Sequence, residues 1–401
     1  MKIVRYGKVL CAGLLLLAGC KGFWDVPADN GGCTTNCGTL SSGFFYVLNS
    51  NAGQVEIAGY SIVSGALTAV TGSPYTLPSG PYSLAVAPNG SFLYVGTQSG
   101  IFLYKISSGG ELTLASSTAF FPDFAAASMQ VDSTSSWLIE ASGSGYLYAI
   151  PINPADGTES TTSTVQQLSL GVIPTIHQLT ISPDNQNILV ALGAVGTAVI
   201  PFNANPPAGT SSLPTSLTTP IAVKSAGGSA VSVAVDPIDR LLYIGELLAA
   251  PSTSSTNTGG LRVFNYTSLS TGTPSELTGS PFASGGLTPV SILPTSTGSY
   301  VYVANSTVSN SSTGNISGFQ VSSSGTTYSV VALSSIAPGG TTPVALAEDS
   351  TGTVVLLVNS GGSPDLAAYT FDTTTPGKLD SALTAATGTD PVGANAIAAL
   401  P

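Results

Sequence analysis

From about residue 44 onward the chain is built of short apolar runs, separated every few residues by clusters of Gly, Pro, Ser, Thr and Asn. Within the runs apolar and polar positions alternate with the period of a strand. One pattern recurs seven times, as Phe45-Tyr46-Val47, Leu93-Tyr94-Val95, Trp137-Leu138-Ile139, Ile188-Leu189-Val190, Leu242-Tyr243-Ile244, Val301-Tyr302-Val303 and Leu356-Leu357-Val358, at intervals of 44 to 59 residues. That period belongs to propellers and solenoids. Each copy follows a strand and a tight turn, as in Ser83-Leu84-Ala85-Val86-Ala87-Pro88-Asn89-Gly90 and Leu179-Thr180-Ile181-Ser182-Pro183-Asp184-Asn185. Pro presets the first turn torsion and Asn or Gly tolerates the positive φ after it. A third strand follows, as in Ile101–Ile106, Leu261–Phe264 and Ile316–Phe319, and a weaker fourth near Leu112-Thr113-Leu114 and Leu67–Val70.

Four strands per unit and seven units predict an all-β fold, a seven-bladed β-propeller over residues 43–401. No stretch of eleven residues keeps a 3.6 period, which excludes helical solenoids. Immunoglobulin-like sandwiches need units of about 100 residues, and a β-helix has a much shorter period. The first unit, from Phe44, starts at the second strand of the pattern and lacks the innermost one. The chain finishes with an innermost strand, within Asp390–Leu400, that has no blade of its own. Surplus and deficit match, so both termini are expected to share one blade and leave no open edge.

Ahead of the repeats stand Lys2, Arg5 and Lys8, an apolar run Val9–Leu17, and then Leu17-Ala18-Gly19-Cys20. This is the pattern of a secretory signal ending in a lipobox, with an apolar run too short to span a membrane; the alternative is an ordinary cleaved signal in which Cys20 is incidental. Residues 1–19 are read as the signal peptide and 20–42 as a tether. The resemblance to bacterial lipoproteins implies that Cys20 is lipidated and that the protein is exported and held on the membrane by its lipid anchor. Lys21 does not resemble the Asp that retains lipoproteins at the inner membrane in some bacteria, so the outer membrane is favoured. Cys33 and Cys37 remain as a lone pair in an oxidising compartment, where a small local disulfide is expected. Zinc would need two further ligands, and the single histidine, His177, is far away in sequence.

The formal net charge is −11 and only 7% of residues are charged. Beyond residue 21 the cations are Lys105, Lys224, Arg240, Arg262 and Lys378, too scattered to neutralise a row of phosphates, so a nucleic-acid partner is excluded. A monomer is expected. No cofactor or metal is implied: the chain lacks alternating carboxylates for calcium, a Cys-x-x-Cys-His haem site and a Gly-x-Ser-x-Gly nucleophile, and its two tryptophans are too few for a quinone-dehydrogenase propeller.

At Ile176-His177-Gln178-Leu179-Thr180-Ile181-Ser182-Pro183-Asp184-Asn185, with Ile188-Leu189-Val190 behind it, the chain resembles the lactonase family of seven-bladed propellers, which includes one class of 6-phosphogluconolactonase. The resemblance extends over all the repeats and includes Tyr302-Val303-Ala304-Asn305. Two positions match its more telling motifs. His177 stands where the family has a histidine ahead of the Ser-Pro-Asp turn, and Glu246 stands where it commonly has Asn-Glu-Leu, although Gly245 departs from that motif. The family often carries Arg at the start of the innermost strands, where this chain has Ser229-Ala230-Val231 and Thr342-Pro343-Val344.

The resemblance implies that His177 is a general base oriented by Glu246, provided both face the central channel. The alternatives are a hydrogen-bonded structural histidine and a solvated surface carboxylate. With no cation to hold a phosphate, the expected function is a cell-envelope module that binds protein or carbohydrate through loops on one face, near Ala249–Gly260 and Asn305–Asn315. Hydrolysis of a non-phosphorylated lactone is the alternative. Basic residues at the channel mouth would favour the enzyme, an apolar or amide-lined channel the binding module.

Overall fold

The structure is a computed structural model. It describes residues 43–401 apart from 52–53, 64, 122–124, 162, 172–174, 208, 252–257, 272–273, 309–312, 381–382, 385–390 and 392. The signal peptide, Cys20, the tether and the Cys33–Cys37 pair therefore lie outside the described residues.

Seven antiparallel sheets follow one another around a ring. Their innermost strands are Ala394–Ala399, Pro81–Val86, Ala126–Val131, Gln178–Ile181, Ser229–Val235, Pro289–Pro294 and Thr341–Glu348, which define blades 1 to 7 in that order. Each innermost strand packs against those of both neighbouring blades, and the last returns to the first. Blade 1 is made from both ends of the chain: Phe45–Asn51 pairs antiparallel with Ala394–Ala399, with Phe45 opposite Ala399 and Val47 opposite Ile397. The predicted closure is thus present.

The repeated apolar pattern fills the seams between blades. Alternate residues of each second strand face opposite neighbours: Trp137, Ile139 and Ala141 pack towards blade 4, whereas Leu138 packs towards blade 2. Seven such clusters occupy the seven seams. The tyrosine in the repeat has a second task. Tyr46, Tyr94 and Tyr302 are fully buried and donate hydrogen bonds of 2.6 to 2.8 Å to the carbonyls of Gly110, Gly157 and Gly377, each in the outer turn of the next blade. Those turn glycines have φ of 75° to 81° and lie against an aromatic ring, so only glycine fits.

The turn signals also hold. In Ser182-Pro183-Asp184-Asn185 the Ser182 hydroxyl donates to Asp184 at 2.6 Å and accepts from the Asn187 amide at 2.9 Å, with Asn185 at φ 55°. The expected four strands are found in four blades. Blades 1 and 5 have five, the extra ones being Tyr75–Thr76 and Phe282–Ala283, and blade 4 has three among the described residues: beyond Thr197–Pro201 only Ile221 bridges back, to Thr197. The intervening segment carries Pro206, Pro207, Pro214 and Pro220, which cannot donate to a ladder.

Candidate functional site

The innermost strands leave a central channel whose mouth is a cavity of about 430 Å³ walled by all seven blades. A backbone irregularity repeated around the ring builds this wall. In six blades the innermost strand carries a bulge, so that one residue has no partner on the second strand. A bulged residue is turned out of the pleat. Here the bulged residues line the cavity: Asn395, Tyr82 and Ala127 in blades 1 to 3, and Val231, Val290 and Val344 in blades 5 to 7.

Blade 4 has no bulge, but His177, immediately before its innermost strand, occupies the same place, and its amide donates to the Ala191 carbonyl at 3.0 Å. The result is a collar of one residue per blade. One arc holds the polar collar residues Asn395, Tyr82 and His177, interrupted by Ala127, with the Asn395 amide nitrogen donating to Ser50 at 3.2 Å. The opposite arc is three valines.

The residue after each collar position ties neighbouring blades together. Ser83 donates to the Ala126 carbonyl at 2.6 Å and Ser232 to the Pro289 carbonyl at 2.6 Å. Ser128 accepts from the Leu179 amide at 2.9 Å, Gln178 from Val233 at 3.1 Å and Ser291 from Leu346 at 3.1 Å. These clasps use hydroxyls and amides that polar composition alone would assign to ligand binding. They also explain Gly245, the departure from the family motif: a β-carbon there would meet the Ser232 hydroxyl and lie 2.7 Å from the Pro289 carbonyl oxygen. At the two remaining positions stand Ala345 and Ala396, so the closing strand has no clasp of this kind on either side.

His177 is thus placed as expected, in the channel wall. Its ring is open to the lumen, and no residue among those described hydrogen-bonds the imidazole. Protein enclosing the channel mouth removes water from around the ring and holds its pKa below the ordinary histidine value, which favours the neutral imidazole. The Tyr82 side chain, 45% exposed, faces the same cavity with its hydroxyl unbonded among the described residues.

Glu246 is elsewhere. It is fully buried in the second strand of blade 5, where one oxygen pairs with Arg262 Nη1 at 2.7 Å and the other accepts the Lys224 amide at 2.9 Å. Arg262 continues to Glu276 at 3.1 Å and lies 4.8 Å from the centre of the Phe264 ring. Both Glu246 oxygens are occupied and neither bonds His177, so the expected base and orienting carboxylate are not brought together. Nor is Glu246 a solvated surface group. Its role is to neutralise Arg262 inside the blade, because a buried guanidinium without a carboxylate is expensive.

Among the described residues the ionisable side chains around the cavity are His177 and Tyr82, and no described Lys, Arg, Asp or Glu lines it. No group of three or more metal-ligating side chains occurs among the described residues. The wall therefore suits an uncharged ligand, held by Tyr82, His177, the amide nitrogen of Gln178 and apolar contact.

The ring has close likenesses among solved structures. Candidate 6-phosphogluconolactonases of Bacteroides fragilis and Bacteroides uniformis superpose with a TM-score of 0.66 each, at 14% and 16% identity, over 89% of this chain and 98% and 99% of theirs. A periplasmic gluconolactonase of Pseudomonas aeruginosa superposes with a TM-score of 0.64 at 15% identity, over 90% of this chain and 99% of that one. At such identities the likeness shows the fold. No curated protein matches the sequence. The family described as "Lactonase, 7-bladed beta-propeller" matches residues 38–394, and the chain belongs to that family.

Proposed function

We propose that this protein is an exported lactonase-type propeller, anchored through Cys20, that binds an uncharged polar ligand of carbohydrate type at the mouth of its central channel. The observation that carries this reading is that no Lys, Arg, Asp or Glu occurs among the described side chains of the cavity wall, beside an imidazole whose pKa is held low. A phosphorylated sugar lactone carries about two negative charges at neutral pH, and neither this wall nor a chain of net charge −11 would attract it. The lipobox ending at Cys20 supports the anchor.

A second reading rests on His177. A neutral, unbonded imidazole in a ligand-sized cavity can take a proton from water as the hydroxyl adds to a lactone carbonyl, with the Tyr82 hydroxyl or the Gln178 amide as donors to the oxyanion. Collapse then breaks the ring C–O bond, and the imidazolium returns the proton to the leaving alkoxide. Calorimetric titration with methyl β-D-glucopyranoside, glucono-1,5-lactone and 6-phosphogluconolactone, with hydrolysis followed in parallel, separates the readings. Binding of the neutral compounds without turnover is expected. Turnover of the neutral lactone abolished by His177→Ala would establish the second reading, and tight binding of the phosphorylated lactone would overturn the proposal.

A further inference from the structure

The collar is divided, and the division says more than neutrality does. Going round the ring, blades 1 to 4 contribute Asn395, Tyr82, Ala127 and His177, whereas blades 5 to 7 contribute Val231, Val290 and Val344 without interruption. Ala345 of blade 7 and, beside it, Ala396 and Ile397 of blade 1 extend the apolar side into the channel, and the two hydroxyls on that side are already engaged, Thr288 with Thr307 and Ser291 with the Leu346 amide. An unsubstituted sugar ring leaves the hydroxyls that face the valines without partners, so it binds less tightly than one that turns an apolar substituent to that side. A ring with one polar edge and one apolar side loses nothing there.

We propose that the collar selects an amphipathic uncharged ligand: a small oxygenated ring whose polar edge meets Tyr82, His177 and the free amide of Gln178, bearing an alkyl or acyl substituent that lies on Val290 and Val344. This inference rests on the channel mouth being the ligand site. Tyr82 offers an exposed ring face together with an unbonded hydroxyl, which suits the boundary between the two halves. Val290 and Val344 are only partly buried, so their methyl groups are available, whereas Val231 is 7% exposed and mainly structural. The cavity volume of about 430 Å³ accommodates one such ring with a short chain.

The test compares methyl and octyl β-D-glucopyranoside, the latter below its micelle concentration, by calorimetry on the full propeller. Both are neutral and inert to lactone hydrolysis, so binding is read separately from turnover. Octyl glucoside should bind at least tenfold more tightly, since each methylene removed from water adds a factor of about four. The near-isosteric pair Val290→Thr and Val344→Thr, both still β-branched, should reduce that preference at least threefold. Tyr82→Leu, at an exposed position, should weaken both ligands. Equal binding of the two glucosides, or an octyl preference untouched by the threonine variants, would overturn the amphipathic selection while leaving the ligand site in place. Binding of neither would overturn the ligand site itself, and this inference with it.

Discussion

Glu140 is a fully buried carboxyl with no hydrogen-bond partner among the described residues. It lies in the second strand of blade 3, between Ile139 and Ala141, opposite Met129 on one side and Tyr148 on the other. Burial pushes its pKa from the ordinary 4.5 up to about 8. The folded protein therefore keeps this proton at pH 7, while the unfolded chain has already lost it. Because the folded pKa is the higher one, the group is neutral in its effect below pH 4.5 and becomes destabilising as pH rises. The deficit grows by about 1.4 kcal/mol per pH unit, reaches about 3 kcal/mol at pH 7, and levels off above pH 8, where the folded form ionises too.

Glu140→Gln keeps the shape, loses no hydrogen bond and cannot ionise in either state. Urea unfolding of both proteins at pH 4, 5.5, 7 and 8.5 measures the effect. The curves should coincide near pH 4, and the variant should be the more stable by about 3 kcal/mol at pH 7. A constant difference across that range would refute the argument, because it would mean that Glu140 titrates alike in the folded and unfolded chain.

Glu246→Ala should cost about 3 kcal/mol by leaving Arg262 with Glu276 alone, yet leave glucoside affinity unchanged, whereas His177→Ala should weaken binding with little loss of stability; thermal melts and calorimetry on both variants check this. Ala345→Ser and Ala396→Ser restore the residue type that clasps adjacent blades elsewhere in the ring, and each should raise stability by about 1 kcal/mol in urea melts. Truncation before Ala394 removes the innermost strand paired with Phe45 and Val47, both fully buried. It should abolish the cooperative melt, since a domain has only about 5–15 kcal/mol in hand and each large apolar side chain uncovered costs about 1.5–3 kcal/mol.

Much of the architecture is legible in the residues because a propeller is written as a repeat. Strand alternation, turn residues and a period near 50 are local features, and the unpaired strands at the two ends must meet for the ring to lack an edge. His177 was also legible, through its place ahead of the Ser-Pro-Asp turn. The signal for Glu246 was present but pointed elsewhere: Arg262, two positions beyond the cross-strand partner Gly260, is its diagonal neighbour on the adjacent strand. Glu140 was visible as one charge inside the apolar run Trp137-Leu138-Ile139-Glu140-Ala141, although nothing local says whether a partner reaches it across the seam.

The collar is different in kind. Tyr82, Val231, Val290, Val344 and Asn395 have no common residue type, and a bulge breaks the period-two pattern by which a strand's faces are assigned. Whether Ser83 or Ser232 faces a ligand or clasps the next blade depends on groups 43 and 57 residues away. The sequence by itself therefore determined the blades, their order and their closure, because these follow from local periodicity repeated seven times. Which side chains converge on the axis, which hydroxyls are already used, and that no described carboxylate, lysine or arginine lines the mouth were decided only by the tertiary structure, because each depends on contacts between residues from different blades.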